Sequence, residues 1–433
     1  MEKILQVSES AIDFISKSPT KYHAVENVKA RLLENNYIPL FLDDKWELKP
    51  EGRYFIEQDN SALIAFSIAS TNIDVLENGI RMVCAHTDSP TFKIKPMAQM
   101  PMKPNGYIQL NIQGYAWPIL SSWFDRPLSI AGRISLKGKS PFCPDIRLVD
   151  FEDPILIIPN AAFHLTKGKA GVSISKQKEM LPIMGIAGES INENIILDIL
   201  ALRANVLKEN ILDYELYLYP VEKGSVVGVN KDFIVAPRQD DLIMVYSALE
   251  AFINNSGKDI NKMITFFDAE EETNSTLGGA DTPFLRNVLT KIVKSAGGDE
   301  ENLISLIKHS FAISLDTSFA QHPNYSECND PTCSPMVNNG VVIKYDANMH
   351  FATNVVSSAI FQSICKENNI PYQKEAANSD LRSGNTVSAF IQTQVEMKCI
   401  DLGIATWAVH STYECCGTKD LYNLIQALIS FWK

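Results

Sequence analysis

Seven side chains could bind or activate a reactant, and most stand where an apolar run ends. His86 and Asp88 close "MVCAHTD", Glu270 and Glu271 follow "ITFFDA", Asp316 ends "FAISLD", His410 ends "IATWAVH", and Asp240 lies in "PRQDDL" at the head of a helical pattern. Imidazoles together with carboxylates suit Zn²⁺, Mn²⁺ or Co²⁺, and a surplus of carboxylates lets one of them bridge two ions. Each position also has an ordinary reading. Glutamates after a strand favour a helix N-terminus, "SLD" and "QDD" can cap helices, and "AVH" can be a hydrogen-bonded core histidine. Those readings weaken together, because they require several independent accidents at strand ends in one chain.

The positioning elements follow from periodicity. Helical patterns ("SAIDFISK", "YHAVENVKARLLENN") give way to short apolar runs, "ALIAFSIA" and "IRMVCAH". Between about Thr91 and Asp232 the pattern becomes alternating and β-branched, with "GYIQLNIQG", "LSIAGRISL" and "YELYLYP" broken by Pro and Gly, and with one helix expected at "INENIILDILALRANVL". Afterwards strands ("MITFFDA", "FAISLD", "KCIDLGI") alternate with helices ("DDLIMVYSALEAFI", "PFLRNVLTKIVKSA", "ATNVVSSAIFQSICKENN", "DLYNLIQALISFW"). That alternation predicts an α/β fold, a three-layer α/β/α sandwich on a mainly parallel sheet, with residues 91–232 as an inserted, mostly β domain and residues 1–90 and 233–433 as the catalytic domain. In open α/β sheets, ligands gather beyond the carboxyl ends of the strands, which is where these acids and histidines fall.

Composition narrows the partners. Asp+Glu 51 against Lys+Arg 39 gives a formal charge of -12, which repels phosphate backbones and anionic lipid, so neither nucleic acid nor a membrane is an expected partner. No signal-peptide pattern opens the chain and no long apolar run suggests a span, so a cytoplasmic location is expected. The eight cysteines have neither disulfide-scaffold nor zinc-knuckle spacing and read as reduced thiols.

The order His86, Asp240, Glu271, Asp316, His410 resembles the aspartyl aminopeptidase family of dinuclear zinc exopeptidases. The likeness is carried by "AHTDSP" (Ala85 to Pro90), "WFDRPLSIAGR" (Trp123 to Arg133), "RQDD" (Arg238 to Asp241), "FDAEE" (Phe267 to Glu271), "HPNY" (His322 to Tyr325) and the pair His410 and Ser411. The resemblance implies one ion on His86 and Asp316, another on Glu271 and His410, and Asp240 bridging them. It implies Glu270 as the general base that takes a proton from a metal-bridging water, with Asp88 holding the His86 ring. It also implies peptides with an N-terminal Asp or Glu as substrates, met by Lys344 in "GVVIK", and a tetrahedral homododecamer in which His164 reaches a neighbouring subunit's site. Three departures stand out: "ETN" (Glu272 to Asn274) where the family has "VGS", Asp241 for asparagine, and Phe319 for histidine. Extra negative charge there predicts tighter cation binding and an altered pH dependence, metal preference or specificity. Two other functions fit less of the sequence: a catalytically weak paralogue serving as an oligomeric scaffold, and a related dinuclear deacylase or carboxypeptidase.

Overall fold

The structure is a computed structural model describing residues 1–69, 78–101, 106–166, 174–186, 195–255, 257–381 and 383–433. Its largest sheet has nine strands, in the order Ile38–Pro39, Arg53–Gln58, Ala62–Ser67, Asn261–Phe267, Ile80–His86, Phe311–Leu315, Lys398–Gly403, Val341–Tyr345, Tyr372–Ala376. The four strands from Asn261–Phe267 to Lys398–Gly403 pair in parallel, so their carboxyl ends share one edge. Antiparallel pairs occur toward both sides, at Arg53–Gln58 with Ala62–Ser67, at Ala62–Ser67 with Asn261–Phe267, and at Lys398–Gly403 with Val341–Tyr345.

The central strands read as continuous apolar runs because both of their faces are covered. Along Ile80–His86, Met82 and Cys84 join the core beneath helices Phe284–Ser295, Glu300–His309 and Val387–Val395. Val83 and Ala85 point the other way, into the core beneath Glu2–Ser16, Lys21–Glu34, Gln239–Asn254 and Thr418–Phe431. With hydrophobic contacts on both faces, the strand can move little, and the polar residues that follow it are placed accurately.

A second, six-stranded sheet is antiparallel throughout and joins Thr91–Gln99, Tyr107–Tyr115, Leu128–Ser140, Cys143–Asp150, Ile183–Ile186 and Ile211–Pro220. It has its own core, with Phe92, Trp123, Ile130, Leu200 and Leu216 among the buried residues. The helix expected from residue 191 is seen as Ile195–Ala204, its first four residues lying outside the described set. A third, five-stranded sheet contains Phe233–Ala236, Glu414–Gly417 and Ala405–Trp407. "IATWAVH" was expected to run as a strand up to His410. The strand stops at Trp407, and Ala408 and His410 both have positive φ, 57° and 68°, in the turn that leads back to Glu414–Gly417. Among the described residues no helix is long and apolar enough to cross a membrane.

Candidate metal centre

The parallel edge gathers the acids and imidazoles. His86 is the last residue of its strand, Glu270 and Glu271 lie in the turn after Asn261–Phe267, and Asp316 directly follows Phe311–Leu315. No helix begins at the glutamates; the next one starts at Phe284, so these are turn residues rather than a solvated first helical turn. Asp240 arrives from the third sheet at the head of Gln239–Asn254, where Asp240 and Asp241 keep non-helical backbone angles. His410 reaches in from the hairpin turn of the same sheet.

These residues form two groups whose ligand atoms lie within 4.8 Å of one another: His86, Asp240, Asp241 and Asp316, and Asp240, Glu271 and His410. Asp240 belongs to both. His86 Nε2 lies 3.5 Å from Asp240 Oδ1, and His410 Nε2 lies 3.7 Å from Asp240 Oδ2 and 3.2 Å from Glu271 Oε2. Glu270 belongs to neither group, although its Oε2 is 3.8 Å from His86 Nε2 and it lines the same cavity.

Whether cations fit can be judged from the polar atoms. Asp240 Oδ1, Asp241 Oδ1 and Glu271 Oε1 are buried with no hydrogen-bond partner. Uncompensated buried carboxylate oxygens are costly, and a divalent ion is the partner this donor set would accept. Protein charge alone compensates poorly. Burial, and then Asp240, push the Glu271 carboxyl up to about 7. Burial opposes the charged ring of His410, yet the hydrogen bond and charge of Glu271, with Asp240 and Glu414, raise it to about 10.

Neighbouring groups fix these side chains. The Asp88 carboxylate accepts the Tyr115 hydroxyl at 2.6 Å and the backbone N–H groups of Glu270 and Glu271 at 3.2 and 3.3 Å, so it shapes the turn that carries both glutamates. His86 Nδ1 is 3.1 Å from the Asp88 carbonyl oxygen and 3.4 Å from its carboxylate, which places the backbone oxygen closer to the ring. Glu414, which motif reading missed, accepts the Asp240 N–H at 2.8 Å on one oxygen and the His410 N–H at 2.7 Å on the other. One buried carboxylate therefore clamps the two chain segments that meet over the site. An acid four residues after His410 was visible in the sequence, but nothing there pointed to Asp240 as its second partner.

The departures acquire local roles. Glu272 lines the cavity and its Oε1 accepts the Ala116 N–H at 2.7 Å, anchoring a turn whose next residue, Trp117, offers its carbonyl to His410 Nδ1 at 3.4 Å. Asp241, fully buried, accepts the His86 N–H at 3.0 Å. Phe319 lines the cavity and remains 55% exposed. Lys344 is buried, with Nζ 3.0 Å from Asp316 Oδ2 and donating to the Thr317 carbonyl at 2.7 Å. His164 is exposed, on the short helix Phe163–Thr166, and does not line this cavity.

A sheet edge that gathers two carboxylate–histidine groups, each able to hold a cation, beside a further acid, Glu270, on a cavity of about 360 Å³ has the chemistry of a metal-dependent hydrolase. A profile described as "Aminopeptidase I zinc metalloprotease (M18)" matches residues 14–432. A probable M18 family aminopeptidase 2 of Clostridium acetobutylicum is 40% identical over 422 residues, covering 97% of each chain. Its counterpart in Clostridium novyi is 36% identical over the full length of both. A chain in the cryo-EM structure of the Ape4 and Nbr1 complex superposes with a TM-score of 0.93 at 29% identity, covering 99% of this chain and 86% of that one. The chain belongs to the M18 family of zinc aminopeptidases, and its enzymatic class is metallo-aminopeptidase.

Proposed function

We propose that His86 and Asp316 hold one divalent ion, Glu271 and His410 a second, and Asp240 both, with zinc the first choice and manganese or cobalt as alternatives. Asp240 carries the reading, because it alone belongs to both ligand groups. Ions bound there would acidify coordinated water and polarise the scissile carbonyl. Glu270 takes the proton from the attacking water and returns it to the leaving amine. It is suited to both steps by position, since it lines the cavity, lies outside both ligand groups and has Oε2 3.8 Å from His86 Nε2. Asp88 and Glu414 act as positioning residues, one on the glutamate turn and the other on Asp240 and His410.

On the first substrate residue, Lys344 supports the Asp or Glu that the resemblance implies, since its ammonium lines the cavity. Glu375, which lines the same cavity, favours a second reading developed below. The three-layer arrangement, the domain division at residues 91–232 and a homododecamer with His164 at a neighbour's site belong to the same proposal. Exposed apolar residues around the second sheet, among them Phe142, Phe163, Leu165 and Leu202, suit burial against further copies. Eight free cysteines fit a reducing, cytoplasmic setting.

Glu270→Gln tests the base. Peptide hydrolysis should fall at least a hundredfold, with bound metal unchanged. Residual activity within a few-fold of wild type would remove Glu270 from this role.

A further inference from the structure

Lys344 is not alone at the floor of the cavity. The edge strand Tyr372–Ala376 pairs in parallel with Val341–Tyr345, and the register sets Glu375 directly beside Lys344. Residues so paired point to the same face of a sheet. Both line the cavity together with Asp316, Phe319 and Phe351. Glu375 is 8% exposed; its Oε1 accepts the Phe319 N–H at 3.3 Å, while Oε2 is buried with no partner.

Donors and acceptors can then be counted. A lysine ammonium has three N–H bonds. Asp316 Oδ2 and the Thr317 carbonyl take two of them and the Phe351 ring stands 4.8 Å from Nζ, while Glu375 Oε2 on the same face has no hydrogen-bond partner. A substrate carboxylate could accept from Lys344 but would bring its charge against Glu375, and a substrate cation would meet Lys344. An aliphatic side chain would leave Glu375 Oε2 unsatisfied. A carboxamide answers both, its oxygen accepting from Lys344 and its amide N–H donating to Glu375 Oε2.

We propose that Glu375 directs the first-residue pocket toward Gln or Asn and away from Asp or Glu. This rests on the metallo-aminopeptidase reading and replaces the acidic preference within it. Glu375 is a specificity residue, separate from the metal ligands and from Glu270.

The test uses the metal-loaded protein, Glu375→Gln and Glu375→Leu. Peptides Xaa-Ala-Ala, with Gln, Asn, Glu or Asp first, give kcat/KM, and the hydroxamates of glutamine and glutamate give Kd without turnover. Metal content and thermal midpoint report on the fold of each variant. The wild type should favour Gln over Glu by about tenfold or more in both measurements, and Glu375→Leu should move that ratio about tenfold toward Glu. A wild type that prefers Glu, or a ratio unmoved in both variants, overturns the proposal. If no peptide is cleaved, the aminopeptidase reading fails, while the hydroxamate ratio still decides the role of Glu375.

Discussion

Asp401 and Asp241 are both wholly buried carboxylates close to the parallel edge, yet the chain satisfies one and leaves the other in want. Asp401, on the strand Lys398–Gly403, accepts the Thr386 hydroxyl at 2.6 Å on one oxygen and the Ser388 hydroxyl at 2.9 Å and Ala352 N–H at 2.7 Å on the other. Asp241 accepts one backbone N–H, keeps one oxygen without a partner, and lies in the ligand group that holds Asp240 and Asp316. Buried polar groups that serve only the fold are normally satisfied by the protein, so carboxylates left open in a cluster mark a place where something else supplies the partner.

The difference predicts opposite responses to neutralisation. In metal-free protein, Asp401→Ala removes the acceptor that three donors share, leaving them only Ser388 Oγ, 3.1 Å from the Ala352 N–H, and the contact between the Thr386 and Ser388 hydroxyls, and should lower unfolding stability by about 3 kcal/mol. Asp241→Asn keeps an acceptor for the His86 N–H while replacing a carboxyl that burial, and then Asp316 and Asp240, push well above its usual range against the His86 ring, so it should raise the metal-free stability by about 1 kcal/mol and weaken cation binding. Chemical denaturation of both variants, with and without metal, reads these signs. If Asp241→Asn destabilises the metal-free protein as Asp401→Ala does, the contrast between them is lost.

A smaller effect sharpens the comparison. Glu414 resembles Asp401 in being satisfied, since each oxygen takes a backbone N–H, but the backbones it holds carry Asp240 and His410. Glu414→Gln can keep only one of those bonds, because an amide offers a single acceptor oxygen. It should weaken metal affinity by about tenfold while moving the thermal midpoint by only a few degrees. Competition with a metal indicator gives the first quantity and calorimetry the second. Unchanged affinity would reduce Glu414 to a fold residue.

The same contrast explains what could be read from the sequence. His86, Glu270, Glu271 and Asp316 were legible because a doubly covered strand is a continuous apolar run, and the polar residues at or just beyond its end fall at the ligand-binding edge. His410 was read in the same way as the end of the run "IATWAVH", but its local structure differs, since positive backbone angles at Ala408 and His410 break the strand that the run suggested. Glu414 and Glu375 escaped because their significance lies in partners distant along the chain: Asp240 for one, and Lys344 across a strand pair for the other. Helices Glu300–His309 and Val387–Val395 were not anticipated; Asp299 caps the first with a capping box, a local signal that was present in the sequence.

The central claim is that five residues from separate strands and loops hold two ions and that Glu270 stands beside them without ligating either. Anomalous diffraction at the zinc edge, from zinc-loaded crystals of Glu270→Gln, tests it directly. The account predicts two peaks, one against His86 and Asp316 and one against Glu271 and His410, with Asp240 touching both. A single peak, no peak, or loss of a peak caused by the Glu270→Gln change would contradict it.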